Sequence, residues 1–244
     1  MNLVIDIGNT RTKFSVFNRG EVLITVPVDE FLPEHIEVLQ NEHPGLQKVI
    51  LSTVKDYSMK LKTALQNKFE YFIELGANTP LPIENCYKTP ETLGKDRIAA
   101  AVGGFDLYPN TNLLIIDAGT AITYDIVNDK HQYLGGNISP GIEMRFKALH
   151  QFTGKLPMIK QQNFSKLYGK STEEAMRAGV QNGVVFEIDR AIDTFKEFYQ
   201  NLKVIITGGD AEFFDKKLKN SFFVNFNLTA LGLNRILEYN GEIQ

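Results

Sequence analysis

The sequence contains one short pattern twice, and this repeat constrains the fold more than any other feature. Near the amino terminus an apolar run leads to Asp6, followed by Gly8, a polar turn as far as Lys13 and a second apolar strand pattern. Another apolar run leads to Asp117, 111 residues later, again followed by a glycine, a polar residue and an alternating strand. Each copy predicts a strand, a tight turn and a strand. An internal duplication is the economical explanation.

The first turn has the composition of a phosphate-binding hairpin. It consists of Asp6, Ile7, Gly8, Asn9, Thr10, Arg11, Thr12 and Lys13. Glycine lets a backbone approach an anion, amides and hydroxyls donate to phosphate oxygens, and lysine supplies a positive charge. Asp6 would repel phosphate, so we expect it to hold a metal ion or a water molecule next to the phosphates. One copy alone fits an ordinary polar hairpin equally well, and the second copy favours the phosphate site.

Strand and helix patterns alternate along the chain, which indicates an α/β fold with a largely parallel sheet. The predicted strands are three within residues 2–26, then 48–54, 70–75, 113–127 as a strand pair, 204–207 and 222–224. The predicted helices begin near Pro33, Tyr57, Arg97, Pro140, Ser171 and Leu228. Ser171 and Glu174 form a capping box, and we expect that helix to run to about Asn201. The repeat divides the chain into related halves, residues 1–109 and 110–244, with a cleft between them.

Composition excludes several classes of protein. Of the 244 residues, 43% are hydrophobic and 23% charged, which suits a globular protein with a substantial core. A net charge of -3 argues against a general nucleic-acid surface. We expect no membrane span and no signal peptide, because apolar runs are short and Asp6 interrupts the first one. The single cysteine, Cys86, excludes an intrachain disulfide framework and fits a cytoplasmic location.

The tetrapeptide Gly94-Lys95-Asp96-Arg97 stands at the predicted start of a helix. An acidic residue there has a structural explanation, because it complements the helix dipole. Arginine does not favour that end of a helix, which suggests another role for the segment. Arg97 could form a forked pair with a substrate carboxylate, and Asp96 could accept a proton from a hydroxyl. Both the structural and the functional interpretation stay open at this point.

Two glycine-rich segments follow the second hairpin. The run from Gly135 to Gly141 predicts a close approach between this backbone and a neighbouring element. Gly208 and Gly209 follow an apolar strand and precede a predicted helix, a setting that suits a nucleotide lying across the backbone. Paired glycines also make plain turns, so the second segment is a weaker indication.

Five motifs in order resemble type III pantothenate kinases, which belong to the actin-like and sugar-kinase superfamily. They are Asp6-x-Gly-Asn-Thr-x-x-Lys13, Gly94-x-Asp96-Arg97, Asp117-x-Gly-Thr120-x-x-Thr123, Gly135-Gly-x-Ile-x-Pro-Gly141 and Thr207-Gly-Gly209. The resemblance implies a duplicated actin-like, or ribonuclease H-like, α/β fold. It places the first hairpin and the Gly-x-Asp-Arg segment in residues 1–109. It places the second hairpin, dimerisation helices and the adenosine-side glycine pair in residues 110–244.

The resemblance also implies the reaction and its residues. ATP would donate its γ-phosphate to the primary hydroxyl of pantothenate, the first step of coenzyme A biosynthesis. The implied ATP-binding residues are Asp6 to Lys13, Thr120, Gly208 and Gly209; the implied substrate-binding residues are Tyr87, Gly94, Lys95, Asp96, Arg97 and Thr172. Asp96 would be the general base, Asp117 would bind a potassium or ammonium ion, and Asp6 is a candidate contact for Mg²⁺. Thr172 would reach the neighbouring subunit of a homodimer.

Two alternatives belong to other classes. A catalytically silent accessory protein could keep this fold and bind a partner. Another small-molecule phosphotransferase or a phosphatase of the superfamily could share the hairpins. The intact Asp96, Arg97 and Asp117 favour the kinase over the first alternative, and Tyr87 together with the Gly-x-Asp-Arg motif favours it over the second.

Overall fold

The computed structural model describes residues 1–8 and 11–243 and divides the chain into two compact units. The first unit comprises Met1–Asn110, Asp129–Leu134 and Asn227–Gln244; the second comprises Thr111–Asn128 and Gly135–Phe226. The carboxy-terminal helix therefore packs in the first unit, whereas the sequence-based division places it in the second half.

The elements are numbered in chain order. The strands are β1 Asn2–Ile7, β2 Thr12–Asn18, β3 Glu21–Val28, β4 Lys48–Thr53, β5 Tyr71–Glu74, β6 Glu84–Asn85, β7 Leu113–Ala118, β8 Ala121–Val127, β9 Gln132–Pro140, β10 Lys203–Thr207 and β11 Phe223–Val224. The helices are α1 Pro33–Glu42, α2 Met59–Lys68, α3 Lys95–Leu107, α4 Ile142–Gln151, α5 Thr172–Arg177, α6 Gly183–Phe198 and α7 Leu228–Glu242. No helix in these described ranges is long and apolar enough to cross a membrane.

The two sheets share one strand order. In the first unit the order is β3-β2-β1-β4-β5, with β1 antiparallel to β2 and parallel to β4. The second sheet has six strands in the order β6-β9-β8-β7-β10-β11, with β7 antiparallel to β8 and parallel to β10. Five of its strands, β9-β8-β7-β10-β11, repeat the order of the first sheet, and β6 is an addition at the edge. The expectation of a largely parallel sheet is wrong, because short turns join the first three strands and force antiparallel pairing.

Each unit has its own apolar core. In the first unit, β1, β4 and helices α1 and α2 bury residues such as Leu3, Ile5, Ile36, Leu51 and Leu65. In the second unit, β7, β10 and helices α4 and α6 bury residues such as Leu114, Ile116, Phe146, Ile188 and Ile206. The buried side chains of β1 and β7 anchor these two strands in their cores. They therefore fix the backbone positions of Asp6 and Asp117, which lie near the ends of the same strands.

Glycines explain how α7 joins the first unit. A Cβ on Gly103 of α3 would collide with the Leu228 carbonyl oxygen, and one on Gly232 of α7 would collide with the Ala99 carbonyl oxygen. The backbones of α3 and α7 therefore touch at this crossing, and larger residues would separate the helices.

Two predicted helices differ in the structure. The Ser171 hydroxyl accepts the Glu174 backbone N–H at 3.3 Å, as the capping box predicts, and the chain is helical from Thr172 to Phe198, but not as a regular α-helix throughout. A π-helical segment, Ala178–Asn182, separates α5 from α6. After Gly209 the chain forms only a 3-10 turn, Ala211–Phe214, instead of an α-helix. The argument that a helix N-terminus favours nucleotide binding there is therefore wrong.

Candidate active site

The first hairpin forms as predicted in the described residues. Asp6 pairs with Lys13 and Ile7 pairs with Thr12 across β1 and β2. The Gly8 N–H donates to the Arg11 carbonyl at 3.0 Å and closes the turn. A Cβ on Gly8 would lie 3.1 Å from that carbonyl oxygen, so glycine suits the position. Asn9 and Thr10, the two predicted phosphate-contacting residues at the tip, lie outside the described residues.

Asp6 is largely buried and lies close enough to Asp96 for their charges to interact. Burial, and secondly the Asp96 carboxylate, raise the pKa of Asp6 from 3.8 to about 6, against smaller lowering effects of Ser52 and Lys13. The fold thus brings the phosphate hairpin and the Gly94 to Arg97 segment together within the first unit.

The start of α3 fixes the Asp96 side chain. Gly94 is the N-cap residue, and Asp96 Oδ1 accepts the Arg97 backbone N–H at 2.8 Å. A Cβ on Gly94 would lie 2.6 Å from Asp96 Oδ1, so a larger residue would displace the carboxylate. Asp96 is nevertheless exposed, and a substrate hydroxyl can reach it. Lys95 lies within electrostatic reach of Glu74 and contributes to lowering the pKa of that carboxyl.

Tyr87 and Arg97 come together beside this helix start. The Arg97 guanidinium carbon lies 5.7 Å from the centroid of the Tyr87 ring, within cation–π range. The Tyr87 ring in turn lies 6.1 Å from the Tyr133 ring. Arg97 is only 6% exposed. A buried arginine beside an aromatic ring is held in place, unlike a flexible surface charge.

The second hairpin resembles the first but has a turn that is one residue shorter. Asp117 pairs with Thr123 across β7 and β8, and the Gly119 N–H donates to the Ala121 carbonyl at 3.0 Å. Gly208 has φ 92°, in the left-handed region, and a Cβ there would collide with Asp117 Oδ1. The predicted cation residue and the predicted glycine pair therefore touch. Gly209 has open space around its backbone.

Ser52 is a candidate site residue that the sequence-based reasoning missed. It pairs with Asp6 in the parallel β1–β4 register, as Thr207 pairs with Asp117 between β7 and β10. Each hairpin aspartate thus has a buried hydroxyl residue on the neighbouring parallel strand. The sequence duplication could have identified Ser52, because aligning the two halves places it opposite Thr207 of the Thr207-Gly-Gly209 motif.

The run from Gly135 to Gly141 lies against the second hairpin. A Cβ on Gly136 would collide with the Tyr124 carbonyl oxygen, and one on Gly141 would collide with that of Gly119. The Gly141 N–H donates to the Thr120 carbonyl at 3.1 Å. The predicted close backbone approach is confirmed, and its partner is the hairpin itself.

Thr172 begins α5 and is exposed. It lines a mostly apolar cavity of about 880 Å³ in the second unit, together with Pro140, Arg145, Leu149, Phe152 and Gly179. The Phe152 side chain is 80% exposed. Gly179 and Gly183 have no neighbouring atom where a Cβ would stand. This face therefore has both apolar surface and room for another backbone.

Carboxylate and hydroxyl oxygen atoms of the two hairpins could bind cations, provided that phosphates or water supply the remaining ligands. No group of three or more His, Cys, Asp or Glu side chains among residues 1–8 and 11–243 can hold a metal alone. Mg²⁺ commonly takes one or two protein carboxylates and completes its shell with phosphates and water, which fits Asp6. The Thr123 hydroxyl oxygen, opposite Asp117, is buried without a hydrogen-bond partner, which fits an oxygen-coordinated monovalent ion.

Comparison with known proteins identifies the family. A type III pantothenate kinase family model matches residues 2–194. The chain belongs to the type III pantothenate kinase family. It is 44% identical over 243 residues to the type III pantothenate kinase of Christiangramia forsetii, covering 98% of this chain and 99% of that one. Identity to the enzyme of Bacteroides fragilis is 45% over 240 residues, covering 98% of each chain. The reaction of this family is phosphorylation of pantothenate, the first step of coenzyme A biosynthesis.

Solved structures agree on the fold. A conserved Campylobacter jejuni protein assigned to the Baf family of transcriptional activators superposes with a TM-score of 0.62 at 25% identity, covering 98% of this chain and 99% of that one. A glucokinase from an Antarctic psychrotroph superposes with a TM-score of 0.53 at 12% identity, covering 98% of each chain. Such low identity to a sugar kinase supports the fold alone, and the duplicated actin-like prediction is confirmed.

Proposed function

We propose that this type III pantothenate kinase transfers the γ-phosphate of ATP to the primary hydroxyl of pantothenate, with Asp96 as the general base. The observation that carries the proposal is that Asp96 lies close enough to Asp6 for its charge to raise the pKa of that carboxyl. It joins an acceptor-side carboxylate to a phosphate hairpin inside one unit. A silent accessory protein would have no need of this arrangement.

Asp96 accepts the proton of the attacking hydroxyl, while its bond from the Arg97 N–H holds the carboxylate in one orientation. The Arg97 guanidinium pairs with the pantothenate carboxylate, and the Tyr87 ring fixes the plane of that guanidinium. Gly94 and Lys95 complete the acceptor site. Phosphoryl transfer depends mainly on positioning and charge neutralisation, which these groups supply.

ATP binds through both hairpins in this proposal. Asp6 to Lys13 and Thr120 contact the phosphates, and Gly208 and Gly209 present backbone on the adenosine side. Mg²⁺, when bound, neutralises phosphate charge, with Asp6 as its protein contact. Asp117 and Thr123 supply oxygen atoms for a potassium or ammonium ion.

The proposal includes a cytoplasmic homodimer in which Thr172 contributes to the neighbouring subunit's acceptor site. The exposed Phe152 and the open backbone at Gly179 support it, because both would gain contacts from a second copy. A monomer by light scattering would contradict this part. So would an unchanged KM for pantothenate in Thr172→Ala.

The decisive experiment is a coupled ADP-release assay with ATP, Mg²⁺ and pantothenate, with and without K⁺. We expect ADP release that depends on pantothenate and rises with K⁺. Absence of pantothenate-dependent turnover at millimolar ATP would overturn the proposed function. Turnover that does not depend on K⁺ or NH₄⁺ would remove only the role of Asp117.

A further inference from the structure

A polar network in the second unit is not used by the reaction described above. Its centre is Arg145 on α4. The Arg145 Nε donates to the Pro140 carbonyl at 2.8 Å, and its Nη2 donates to Ser139 Oγ at 2.9 Å and to Glu187 Oε2 at 2.6 Å. One guanidinium thus bonds both to the end of β9, through Nε and Nη2, and to α6, through Nη2.

Glu187 anchors this guanidinium. Its Oε1 accepts the Tyr124 hydroxyl at 2.9 Å, and its Oε2 accepts Arg145. Burial raises the pKa of Glu187, but hydrogen bonds from Arg145, Ser139 and Tyr124 outweigh it and lower that pKa overall. The carboxylate therefore stays charged and keeps its partners near neutral pH. Tyr124 lies on β8, so the network ties α4 and α6 to the second hairpin's own strand.

The network continues to the tip of the second hairpin through one short segment. Ser139 and Pro140, which Arg145 holds, directly precede Gly141. The Gly141 N–H donates to the Thr120 carbonyl, and the Gly141 backbone lies so close to Gly119 that no Cβ fits between them. A shift of residues 139–141 must therefore move Thr120 or break that hydrogen bond.

We propose that Arg145, held by Glu187, is a positioning residue that fixes the Thr120 turn in its nucleotide-binding conformation. The proposal rests on the proposed role of Thr120 in binding ATP phosphates. Arg145 itself does not contact the nucleotide in this account. It acts through Ser139, Pro140 and Gly141.

Arginine suits this role better than lysine. The Nε and Nη2 of a guanidinium donate at fixed angles in one plane, whereas an ammonium on a flexible chain is a point charge. Lysine at position 145 has three donors, but nothing in its side chain fixes their directions toward Pro140, Ser139 and Glu187 together. We therefore expect Arg145→Lys to recover little of what Arg145→Met loses.

The experiment compares Arg145→Met, Arg145→Lys and Glu187→Gln with Arg190→Met as the matched control. Arg190 also lies on a helix of this unit. It is exposed, and its one ion pair in the described chain, with Glu197, is long at 3.8 Å. Nucleotide affinity is measured by calorimetry with ATP and Mg²⁺ without pantothenate. KM values for ATP and pantothenate and thermal stability are measured on the same preparations.

We expect Arg145→Met to weaken ATP binding and raise the KM for ATP by about tenfold, the scale of one lost charged hydrogen bond. The KM for pantothenate should change by less than about twofold, within the scatter expected of an uncoupled site. Adding Glu187→Gln to Arg145→Met should cost little more, because both act on one network. Arg190→Met should resemble the wild type.

A purely structural role would lower the folded fraction, and so kcat, while leaving the KM for ATP unchanged. That result in Arg145→Met and Arg145→Lys would overturn the proposal. If Arg145→Met does not fold, Arg145→Lys and Glu187→Gln decide the matter. Calorimetry without pantothenate separates the two proposals, because a wild-type protein that binds ATP but ignores pantothenate contradicts only the proposed acceptor.

Discussion

Ser52 lies directly opposite Asp6 in the parallel pairing of β1 with β4, and its buried hydroxyl lowers the pKa that burial and Asp96 raise. Ser52 Oγ is buried and makes no hydrogen bond of good geometry in the described chain, neither to Asp6 nor to another group. The hydroxyl is therefore available to the Asp6 carboxylate and to whatever that carboxylate binds.

Replacing Ser52 with alanine should raise the pKa of Asp6 further, since a group that favours the charged form is lost. Carbon-13 NMR titration of the carboxyl groups in the ligand-free protein measures this directly. Ser15→Ala is the control, because Ser15 is equally buried but pairs with Thr25. An Asp6 pKa that is unchanged in Ser52→Ala would show that the hydroxyl does not act on the carboxylate.

The raised pKa of Asp6 predicts a pH-dependent stability. Its value of about 6 in the folded chain exceeds the ordinary 3.8, so the folded state binds more protons between these values. The contribution of Asp6 to stability must then fall as the pH rises from about 4 to about 6, and the cost of the buried charge is fully present above that range. Asp6→Asn removes this cost. Urea unfolding of the ligand-free protein measures the free energy of unfolding. The difference between the variant and the wild type should grow in favour of the variant from pH 4.5 to pH 7.5, and a constant difference would contradict the prediction.

Asp96→Asn should lower kcat by at least about 100-fold, the scale of losing a general base, while ATP binding persists. Asp106→Asn is a matched control, because Asp106 lies on the same helix and pairs instead with Arg235 at 3.5 Å. Steady-state kinetics with saturating pantothenate provide the measurement. Near-normal turnover in Asp96→Asn would remove Asp96 from the chemistry.

Arg97→Lys should raise the KM for pantothenate by about tenfold or more, because a planar fork above the Tyr87 ring is replaced by a point charge. The KM for ATP should stay close to that of the wild type. Arg235→Lys, on α7, controls for the loss of an arginine in the same unit. Equal increases in both KM values would indicate general damage to the unit rather than a substrate contact.

Gly136→Ala should destabilise the protein strongly, since its Cβ would collide with the Tyr124 backbone and neither strand can yield without breaking pairing. Gly154→Ala provides the comparison, because open space surrounds that position. Thermal unfolding of both variants tests the prediction. Similar melting temperatures would mean that β8 and β9 separate more easily than the structure indicates.

Local sequence patterns were sufficient for some of this architecture. Both hairpins were predicted because alternation of apolar residues and a glycine turn act over a few positions. The Ser171 cap was predicted for the same reason, since a capping box involves residues three apart. The five ordered motifs then indicated the family and its candidate residues, including the Tyr87 and Arg97 that the structure brings together.

Features that depend on distant contacts could not be predicted in this way. Helix α7 packs on α3 through the backbone contact at Gly103 and Gly232. These residues are far apart in the sequence, so no local pattern predicts the contact. Ser52 is one small polar residue in an apolar strand, and only its register with Asp6 makes it noteworthy. After Gly209 a 3-10 turn, Ala211–Phe214, and a further turn closed by the Lys217 N–H on the Phe214 carbonyl stand in place of the predicted helix.

The π-helical segment sets the rotational phase between two parts of one long helix. A π turn accommodates one more residue than an α turn, and one residue corresponds to about 100° of rotation about the axis. The segment therefore decides how Thr172, before it, is oriented around the axis relative to Val184 and Ile188, the core residues after it. If Ala178–Asn182 formed ordinary α turns with the same number of residues, Thr172 would turn by about 100° to a different side of the protein.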